Sequence, residues 1–420
     1  MLRFLHAADL HLDSPLKGLA RYEGAPVEVM QQALRGAVEN LVRLAIEREA
    51  SLVVIAGDVY DGDCRDFNTP LFFSAQMQRL AAEGIHVVLI SGNHDAANKM
   101  TRSLRLPPNC RTLAVDEAET VTFDDLGVAV HGQGFARADV CENLAASYPA
   151  AVKGLYNIGL LHTCATGSDR HEKYAPCSLD DLRRRQYDYW ALGHVHKRDL
   201  ELCIEPRVVF PGNVQGRDIG ETGAKGCVIV EVDNAHNTQV EFVPLDVLRW
   251  EHVAVDLATA ENEDEVLALV RERLSECWRN AEGLPTAVRV TLAGATAMHE
   301  QIAVHAERIV QEVRNPANHP GDGSLWIEKV LQRTAPRTIA DDFALDGPLG
   351  ELTSVIRELR HDDKALLALA EELPELRATG TLAEFRGDSA QGGDFAWLRD
   401  ELAAVESLLV GHLRGEEERR

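Results

Sequence analysis

Short apolar runs alternate with amphipathic stretches along the first half of the chain. Continuous apolar runs predict buried strands, and apolar residues that recur every three or four positions predict helices. Strands are predicted at residues 2–7, 52–56, 86–90, 128–131, 156–161, 189–191, 207–210 and 227–233, and helices near residues 29–49, 70–83 and 178–185. Strands that alternate with helices are typical of an α/β domain.

The pattern restarts after about residue 245. A second, smaller α/β domain is predicted from strands near residues 251–257, 287–292 and 325–332 and helices near residues 263–280 and 298–313. From residue 339 onward leucines recur at helical spacing, with a linker predicted at residues 386–394. We therefore expect three parts, at residues 1–245, 246–336 and 337–420.

The chain is strongly acidic: 43 Lys and Arg residues stand against 67 Asp and Glu residues, a net charge of −24. Such a charge repels nucleic acid unless positive groups are gathered locally. Residues 1–249 carry 25 basic and 34 acidic residues, a net charge of −9, and the rest of the chain carries 18 and 33, a net charge of −15. Most of the acidity therefore lies outside the larger α/β part.

Cysteine usage and the apolar runs indicate the compartment. The eight cysteines form no CxxC pair, and charged residues interrupt the first positions, where a secretory signal would be apolar. No apolar run approaches the roughly 18 residues of a membrane span. We expect a reduced, cytoplasmic protein without a membrane partner.

Polar clusters follow five of the predicted strands. They are Asp9-Leu10-His11, Gly57-Asp58-Val59-Tyr60-Asp61, Gly92-Asn93-His94-Asp95, His162 and Gly193-His194-Val195-His196. Because strand ends meet at one edge of an α/β sheet, we expect these side chains to gather there. Residues two apart point to the same side of an extended backbone, so the outer residues of D-x-H and H-x-H can reach one ion.

The candidate ligands are two aspartates, one asparagine and four histidines. Oxygen and imidazole ligands suit Mn²⁺, Fe²⁺ or Zn²⁺ and fit a thiolate-rich structural zinc site poorly. Seven ligands are too many for one ion but suit two ions about 4 Å apart that share a carboxylate, and Asp58 is the natural bridge. Two such ions would activate a water and neutralise a phosphoryl group, so the pattern predicts a metal-dependent phosphoesterase.

In this order, the clusters D-x-H, G-D-x-x-D, G-N-H-D, a lone strand-end His and G-H-x-H resemble the calcineurin-like metallophosphoesterase superfamily. The resemblance implies an α/β fold, a four-layer sandwich of two mixed β-sheets flanked by helices. The ligands it implies are Asp9, His11, Asp58 and His196 for one metal and Asp58, Asn93, His162 and His194 for the other. It also implies that His94 protonates the leaving oxygen and that Asp95 orients His94.

Within that superfamily, residues 4–12 and the chain length resemble the SbcD-like DNA repair exonucleases, and residues 210–226 resemble the bacterial YhaO-type branch. The resemblance implies a small α/β capping domain, a helical C-terminal region and hydrolysis of DNA phosphodiester bonds. It implies two divalent ions, with Mn²⁺ favoured over Fe²⁺ or Zn²⁺. The implied partners are DNA and an SMC-like ATPase subunit, SbcC-like or YhaN-like, and a homodimer stays open.

Residues outside the five clusters have two interpretations each. Asn213, Gln215 and Arg217 lie in a Gly-rich loop after a strand, and we expect substrate contact there, with plain turn chemistry as the alternative. Asp61 and His6 either support the ligands or make ordinary structural hydrogen bonds. Basic residues that either contact phosphates or face solvent are Arg183, Arg184, Arg185, Lys197, Arg198, Arg207, Arg217 and Lys225.

Two other functions stay open at this point. One is an enzyme for small phosphoesters, such as cyclic nucleotides or dinucleoside polyphosphates, or for phosphoproteins, which the acidic charge favours. The other is a non-catalytic, metal-stabilised adaptor, which the complete ligand set disfavours. The leucine stripes of the C-terminal region either pack within the chain or receive the coiled-coil base of an ATPase.

Overall fold

A computed structural model describes most of the first 362 residues. The described ranges are residues 1–14, 27–61, 68–97, 106–165, 174–315, 324–337 and 348–362, with single positions at 364, 365, 399, 402, 405 and 409. The linker predicted at residues 386–394, and nearly all of the helical pattern predicted after residue 365, lie outside these ranges. In the described part, no helix combines the length and the apolar character needed to cross a membrane.

The first sheet has six strands. Their spatial order is β12 (Thr238–Pro244), β11 (Gly226–Val232), β1 (Leu2–Ala7), β2 (Leu52–Ala56), β3 (His86–Ile90) and β4 (Cys110–Thr112). Strands β1 to β4 run parallel, whereas β11 pairs antiparallel with both β1 and β12. The carboxyl ends of β1, β2 and β3 therefore lie at one edge.

The second sheet also has six strands. Their order is β5 (Glu119–Phe123), β6 (Val128–Gly132), β7 (Tyr156–His162), β8 (Tyr189–Gly193), β10 (Arg207–Phe210) and β9 (Asp199–Cys203). The four central strands run parallel, and β5 and β9 pair antiparallel at the two sides. Both sheets are mixed, as predicted.

The side chains of the two sheets form a shared core. Phe4 and Val54 of the first sheet pack with Ile158 and Tyr189 of the second. On the outer face of the first sheet, Leu5 packs with α1 (Val27–Glu47) and α2 (Asn68–Ala82). Phe4 and Leu5 point to opposite faces because side chains alternate along a strand.

The second sheet is covered on its outer face in the same way. Trp190 packs there with the 3-10 helix Leu144–Ser147 and with α4 (Leu179–Arg183). Helices, two sheets and helices make four layers, which confirms the predicted sandwich.

A smaller three-stranded sheet follows. It has the order β13 (Arg249–Asp256), β14 (Thr286–Thr296) and β15 (Leu325–Pro336). The helices of this part are α5 (Glu263–Asn280), α6 (His299–Val304), α7 (Ala306–Arg314) and α8 (Pro348–His361). The single helix predicted at residues 298–313 is two helices that meet at His305.

The chain divides into two compact units. One contains residues 1–252, 278–288 and 324–328, and the other contains residues 253–277, 289–323 and 329–420. The first unit holds both six-stranded sheets and all five polar clusters. In the second unit, α5 buries Val266, Val270 and Leu274 at the helical spacing seen in the sequence.

Candidate metal centre

The seven predicted ligands lie at one edge of the first unit, where strands of both sheets end. Asp9 and His11 follow β1, Asp58 follows β2, Asn93 follows β3, His162 ends β7, and His194 and His196 follow β8. Asn93 is also the first residue of a short helix, α3 (Asn93–Ala97), which the apolar pattern did not predict.

Imidazole contacts connect the two sheets at this edge. The Oδ1 atom of Asn93 lies 2.9 Å from Nε2 of His162, and the Nε2 atoms of His11 and His196 are 3.1 Å apart. The Nδ1 atom of His162 donates to the carbonyl of Ala56 at 2.9 Å, because a carbonyl oxygen can only accept. The Nε2 atom of that ring is therefore directed into the site.

The two buried aspartates lie between these rings. The Oδ2 atom of Asp58 is 3.4 Å from Nε2 of His162 and 3.8 Å from Nε2 of His11, so this carboxylate faces both sets of ligands. Asp9 accepts a hydrogen bond from the amide of His194 at 3.0 Å. Ligand atoms close enough to share one ion form three groups. They are Asp9, His11 and His196; Asp9, Asp58 and His162; and His11, Asp58 and His94.

The backbone at the ligands has an uncommon conformation. Asp9, His11 and Asp58 have φ angles of 52°, 43° and 52°, in the left-handed region that costs a residue other than glycine roughly 1–3 kcal/mol. The loops hold these angles through amide hydrogen bonds from Asp9 to Gly57 and from His11 to Asp58. The surrounding structure thus enforces a strained backbone where the ligands must converge.

Glycine is required where these loops touch. A Cβ atom at Gly92 would lie 2.2 Å from Oδ1 of Asp58, and one at Gly193 would lie 1.9 Å from the carbonyl oxygen of Ala56. Both distances are far shorter than any van der Waals contact. The glycines in G-N-H-D and G-H-x-H therefore allow close packing of the loops.

The electrostatics of the site fit a cation. Burial would raise the pKa of Asp58, but His162 and His11 hold it well below its usual range. Burial lowers the pKa of His162, yet the charges of Asp58 and Asp9 raise it to about 9. The imidazole and carboxylate atoms of the site thus attract a proton. A divalent ion would bind at the same place and displace that proton.

The surroundings of His11 also fit a bound cation. Its Nδ1 atom is buried and has no hydrogen-bond partner among the described residues, and its Nε2 atom approaches that of His196. Burial, followed by the charge of Arg217, lowers its pKa well below the usual range, so the ring is neutral. Neutral imidazoles and buried carboxylates are the donor set of a divalent metal, and the residues present fit two such ions.

His94 lies at the mouth of the cluster, with 37% of its side chain exposed. Its Nδ1 atom is 2.6 Å from Oδ1 of Asp61, and its ring lies edge-on to that of His11, with centroids 4.8 Å apart. The hydrogen bond to Asp61 raises the pKa of His94, against the effect of burial. Asp61 therefore stabilises the protonated ring.

The expectation that Asp95 orients His94 is wrong in this structure. The Asp95 carboxylate accepts hydrogen bonds from the backbone amides of Val59, Tyr60 and Gly92. Burial and then the charge of Asp58 raise the pKa of this carboxyl to about 7. Asp95 joins the loop after β2 to the loop after β3. His94, the residue before it, contacts Asp61 instead.

Two of the three predicted substrate contacts are also corrected. Gln215 is buried, and its amide group bonds the backbone of Leu248 and Val247. Asn213 is buried as well, and its Nδ2 atom donates to the carbonyl of Gln215 and to Glu221. The nitrogen atoms of both amides donate within the chain, so these groups build the loop.

Arg217, the third predicted substrate contact, lies beside the site. Its guanidinium contacts Glu221 at 3.1 Å and lies 3.7 Å from Oδ2 of Asp61. Glu221 was missed by sequence reasoning, although it accepts from Nδ1 of His196 at 2.6 Å. It belongs to none of the five clusters, and only its place in the same Gly-rich loop could have indicated a role.

The basic run after α4 is largely paired with acidic or backbone groups. Arg183 and Arg184 contact Asp180 and Asp181 of the same helix, at 2.9 and 3.3 Å. Arg185 donates to the carbonyl of Tyr148 at 2.6 Å. These contacts favour the solvated helix face over a dedicated phosphate-binding patch.

Known families match both units. The calcineurin-like phosphoesterase family matches residues 2–198, and the middle domain of metallophosphoesterase YhaO matches residues 250–335. The chain belongs to the calcineurin-like metallophosphoesterases. It is 33% identical to the uncharacterized metallophosphoesterase YhaO of Bacillus subtilis (strain 168) over 296 residues, which cover 70% of this chain and 72% of that protein.

A second relative is more distant. The chain is 25% identical over 299 residues to the DNA double-strand break repair protein Mre11 of Methanopyrus kandleri, and the match covers 64% of this chain. It spans 62% of the length of that Mre11. These comparisons confirm the resemblance seen in the sequence and show a metal-dependent phosphoesterase.

Proposed function

We propose that the chain is a two-metal phosphodiesterase that hydrolyses DNA phosphodiester bonds as a repair exonuclease. The observation that carries this proposal is the His94 and Asp61 pair beside the converging ligand atoms of Asp9, His11, Asp58, His162 and His196, since a proton donor next to a dinuclear site suits phosphodiester cleavage. DNA as the substrate is supported by the similarity to a double-strand break repair protein.

The residues of the chain have distinct tasks in this reaction. Bound divalent ions, with Mn²⁺ favoured, would supply positive charge at the phosphoryl group and lower the pKa of a water. Asp9, His11, Asp58 and His196 would hold one ion, and Asp58, Asn93, His162 and His194 would hold the other. Asp58 faces both groups because its carboxylate lies between His11 and His162.

His94 delivers the proton that the leaving oxygen needs. Because Nδ1 is held by Asp61, Nε2 is the atom that can face a substrate. A water that has lost one proton to solvent attacks phosphorus as hydroxide, in line with the departing oxygen. As the new P–O bond forms and the bond to the leaving oxygen breaks, the proton of Nε2 passes to that leaving oxygen. The Asp61 carboxylate keeps the ring in this orientation and stabilises its protonated form.

The proposed partner is an SMC-like ATPase subunit, SbcC-like or YhaN-like. It is supported by the family of the chain and by the middle domain that matches YhaO. Helix α8 and the leucine-rich pattern after it supply apolar positions at helical spacing, of which Ile356 is buried.

The experiment is Mn²⁺-dependent hydrolysis of end-labelled double- and single-stranded DNA beside bis(p-nitrophenyl) phosphate, with His94→Ala as the control for contaminating nuclease. We expect wild-type protein to shorten DNA and the variant to leave it intact. The labelled end shows the polarity of cleavage. Hydrolysis of the small diester with DNA untouched, also in the presence of the ATPase, would contradict the nuclease proposal.

A second candidate is an enzyme for small phosphoesters, such as cyclic nucleotides. The net charge of −24 and the arginines engaged by Asp180 and Asp181 favour it, because both weaken attraction for a polyanion. The same assay separates the two candidate functions. An enzyme for small phosphoesters would hydrolyse the small diester faster than DNA at any salt concentration.

A further inference from the structure

The loop at residues 211–225, between β10 and β11, supports the metal centre from outside. The Oε1 atom of Glu221 lies 2.6 Å from Nδ1 of His196, and its Oε2 atom accepts from Nδ2 of Asn213 and from the amide of Arg217, each at 2.8 Å. Only 12% of the Glu221 side chain is exposed. Both carboxylate oxygens are therefore occupied, Oε1 by the imidazole and the Arg217 guanidinium, and Oε2 by the loop itself.

We infer that Glu221 is a positioning residue for the ion held by Asp9, His11 and His196, and that Arg217 is the cation that balances Glu221 and Asp61. The inference rests on the proposed two-metal function. It assigns Arg217 a role different from direct binding of substrate.

The imidazole geometry supports the role of Glu221. A carboxylate can only accept, so Nδ1 of His196 carries the proton and Nε2 is left with its lone pair. That atom points toward Nε2 of His11, 3.1 Å away, where the ion would be bound. A carboxylate behind a metal-binding imidazole fixes both the tautomer and the ring orientation.

Charge balance supports the role of Arg217. Its guanidinium contacts the Glu221 carboxylate at 3.1 Å and lies 3.7 Å from that of Asp61, with only 20% of the side chain exposed. A planar fork can bridge two carboxylates, which a lysine ammonium on a flexible stem does less well. Through Asp61 the same guanidinium is coupled to His94, so one loop supports both a ligand and the proton donor.

The first experiment measures Mn²⁺ binding by calorimetry for wild type, Glu221→Gln and Glu201→Gln, where Glu201 is an exposed residue of β9. We expect two binding steps in wild type, one of which weakens by about 10- to 100-fold in Glu221→Gln while the other is unchanged. Glu201→Gln should bind as wild type does. Thermal unfolding of each metal-free protein checks that the variants fold.

The outcomes separate the inference from the proposed function. Two unchanged steps in a folded Glu221→Gln variant would overturn the inference and leave the two-metal site standing. A wild-type protein without two steps would overturn the proposed function itself. Equal weakening of both steps would also overturn the inference, since Glu221 contacts only one ligand of one ion.

Kinetics of the small diester test Arg217. If Arg217 balances Glu221 and Asp61, then Arg217→Lys lowers kcat and leaves KM near the wild-type value at saturating Mn²⁺. A rise in KM with kcat unchanged would overturn this role and establish a substrate contact. Glu221→Gln should regain most of its kcat as Mn²⁺ is raised, which a purely structural loss would not allow.

Discussion

Both carboxylates of the predicted ligand set follow strands of the first sheet, whereas the second sheet contributes only imidazoles. The carboxylates are held by amide donors: Asp9 by the amide of His194, and Asp58 by the amide of His94. Two of the imidazoles are held by acceptors: His162 by a backbone carbonyl, and His196 by Glu221.

The difference follows from what each ligand lacks. An ionised carboxylate can only accept hydrogen bonds, so a buried one needs donors besides its metal. A neutral imidazole already has a lone pair for the metal and carries its proton on the other nitrogen, which in His162 and His196 donates to an acceptor behind the ring. Each half of the site, meaning the ligands that come from one sheet, therefore has a different kind of hydrogen-bond support. Substitutions in the two halves should have different effects.

Loss of the bridging carboxylate has the largest expected effect. Asp58→Ala removes the oxygen atoms between His11 and His162, so at most one ion should remain and hydrolysis of the small diester should fall to background. Metal content measured by mass spectrometry after dialysis checks this. Two ions per chain in the variant would show that Asp58 is not the bridge.

Loss of the proton donor should spare both halves of the metal centre. His94→Ala is expected to keep two ions and to lose about 10²- to 10⁴-fold in kcat, the usual contribution of general acid catalysis. The same metal analysis beside steady-state kinetics tests it. A near-wild-type rate in a fully loaded variant would contradict the role of His94.

A smaller effect is expected when His94 loses its acceptor. Asp61→Asn removes the charge that stabilises the protonated ring, so kcat should fall by about 10- to 100-fold while the metal content stays at two ions. Asp125→Asn, at an exposed position, is the matched control. Equal kcat values in the two variants would argue against the contact seen here.

The smallest expected effect concerns a buried histidine outside both halves. Nε2 of His6 donates to the carbonyl of Leu192, and Nδ1 accepts from the hydroxyl of Tyr189, so the ring is neutral. Burial lowers its pKa to about 3, from an ordinary 6.5. The neutral ring therefore stabilises the fold fully above pH 6.5, and this contribution is lost as the pH falls toward 3.

His6→Gln should remove that pH dependence. Between pH 6.5 and 5 the free energy of unfolding should fall less steeply in the variant than in wild type. The slope of that free energy against pH gives the number of protons taken up on unfolding, and this number should be smaller in the variant by up to one per molecule. Denaturant unfolding at a series of pH values measures the slope, and exposed His305→Gln should behave as wild type does. Identical slopes in His6→Gln and wild type would contradict a buried neutral ring.

The strands that could be predicted share one property. All eight interior strands of the two large sheets were predicted, and the four that were missed, β4, β5, β9 and β12, are the edge strands. An interior strand between a helix layer and a second sheet is buried on both faces and reads as a continuous apolar run. An edge strand such as β12 alternates partly buried and exposed residues, and this weaker pattern resembles a loop.

The candidate site divides in the same way. The place of the candidate ligands could be predicted because each lies at the end of a buried strand, whereas the contacts behind them depend on how loops fold back. The resemblance implied Asp95 as the partner of His94, whereas the structure brings Asp61 to that position from a different cluster. Glu221 lies 25 positions beyond His196, and only tertiary structure brings them together.

The hydrogen bond from the His194 amide to Asp9 has a consequence for the order in which the molecule forms. The two residues are 185 positions apart, so a chain made from its N-terminus presents Asp9 long before its donor exists. Such distant pairs form late, after the cost of closing the intervening loop has been met. A growing chain therefore cannot assemble this centre until β8 has emerged and joined its sheet.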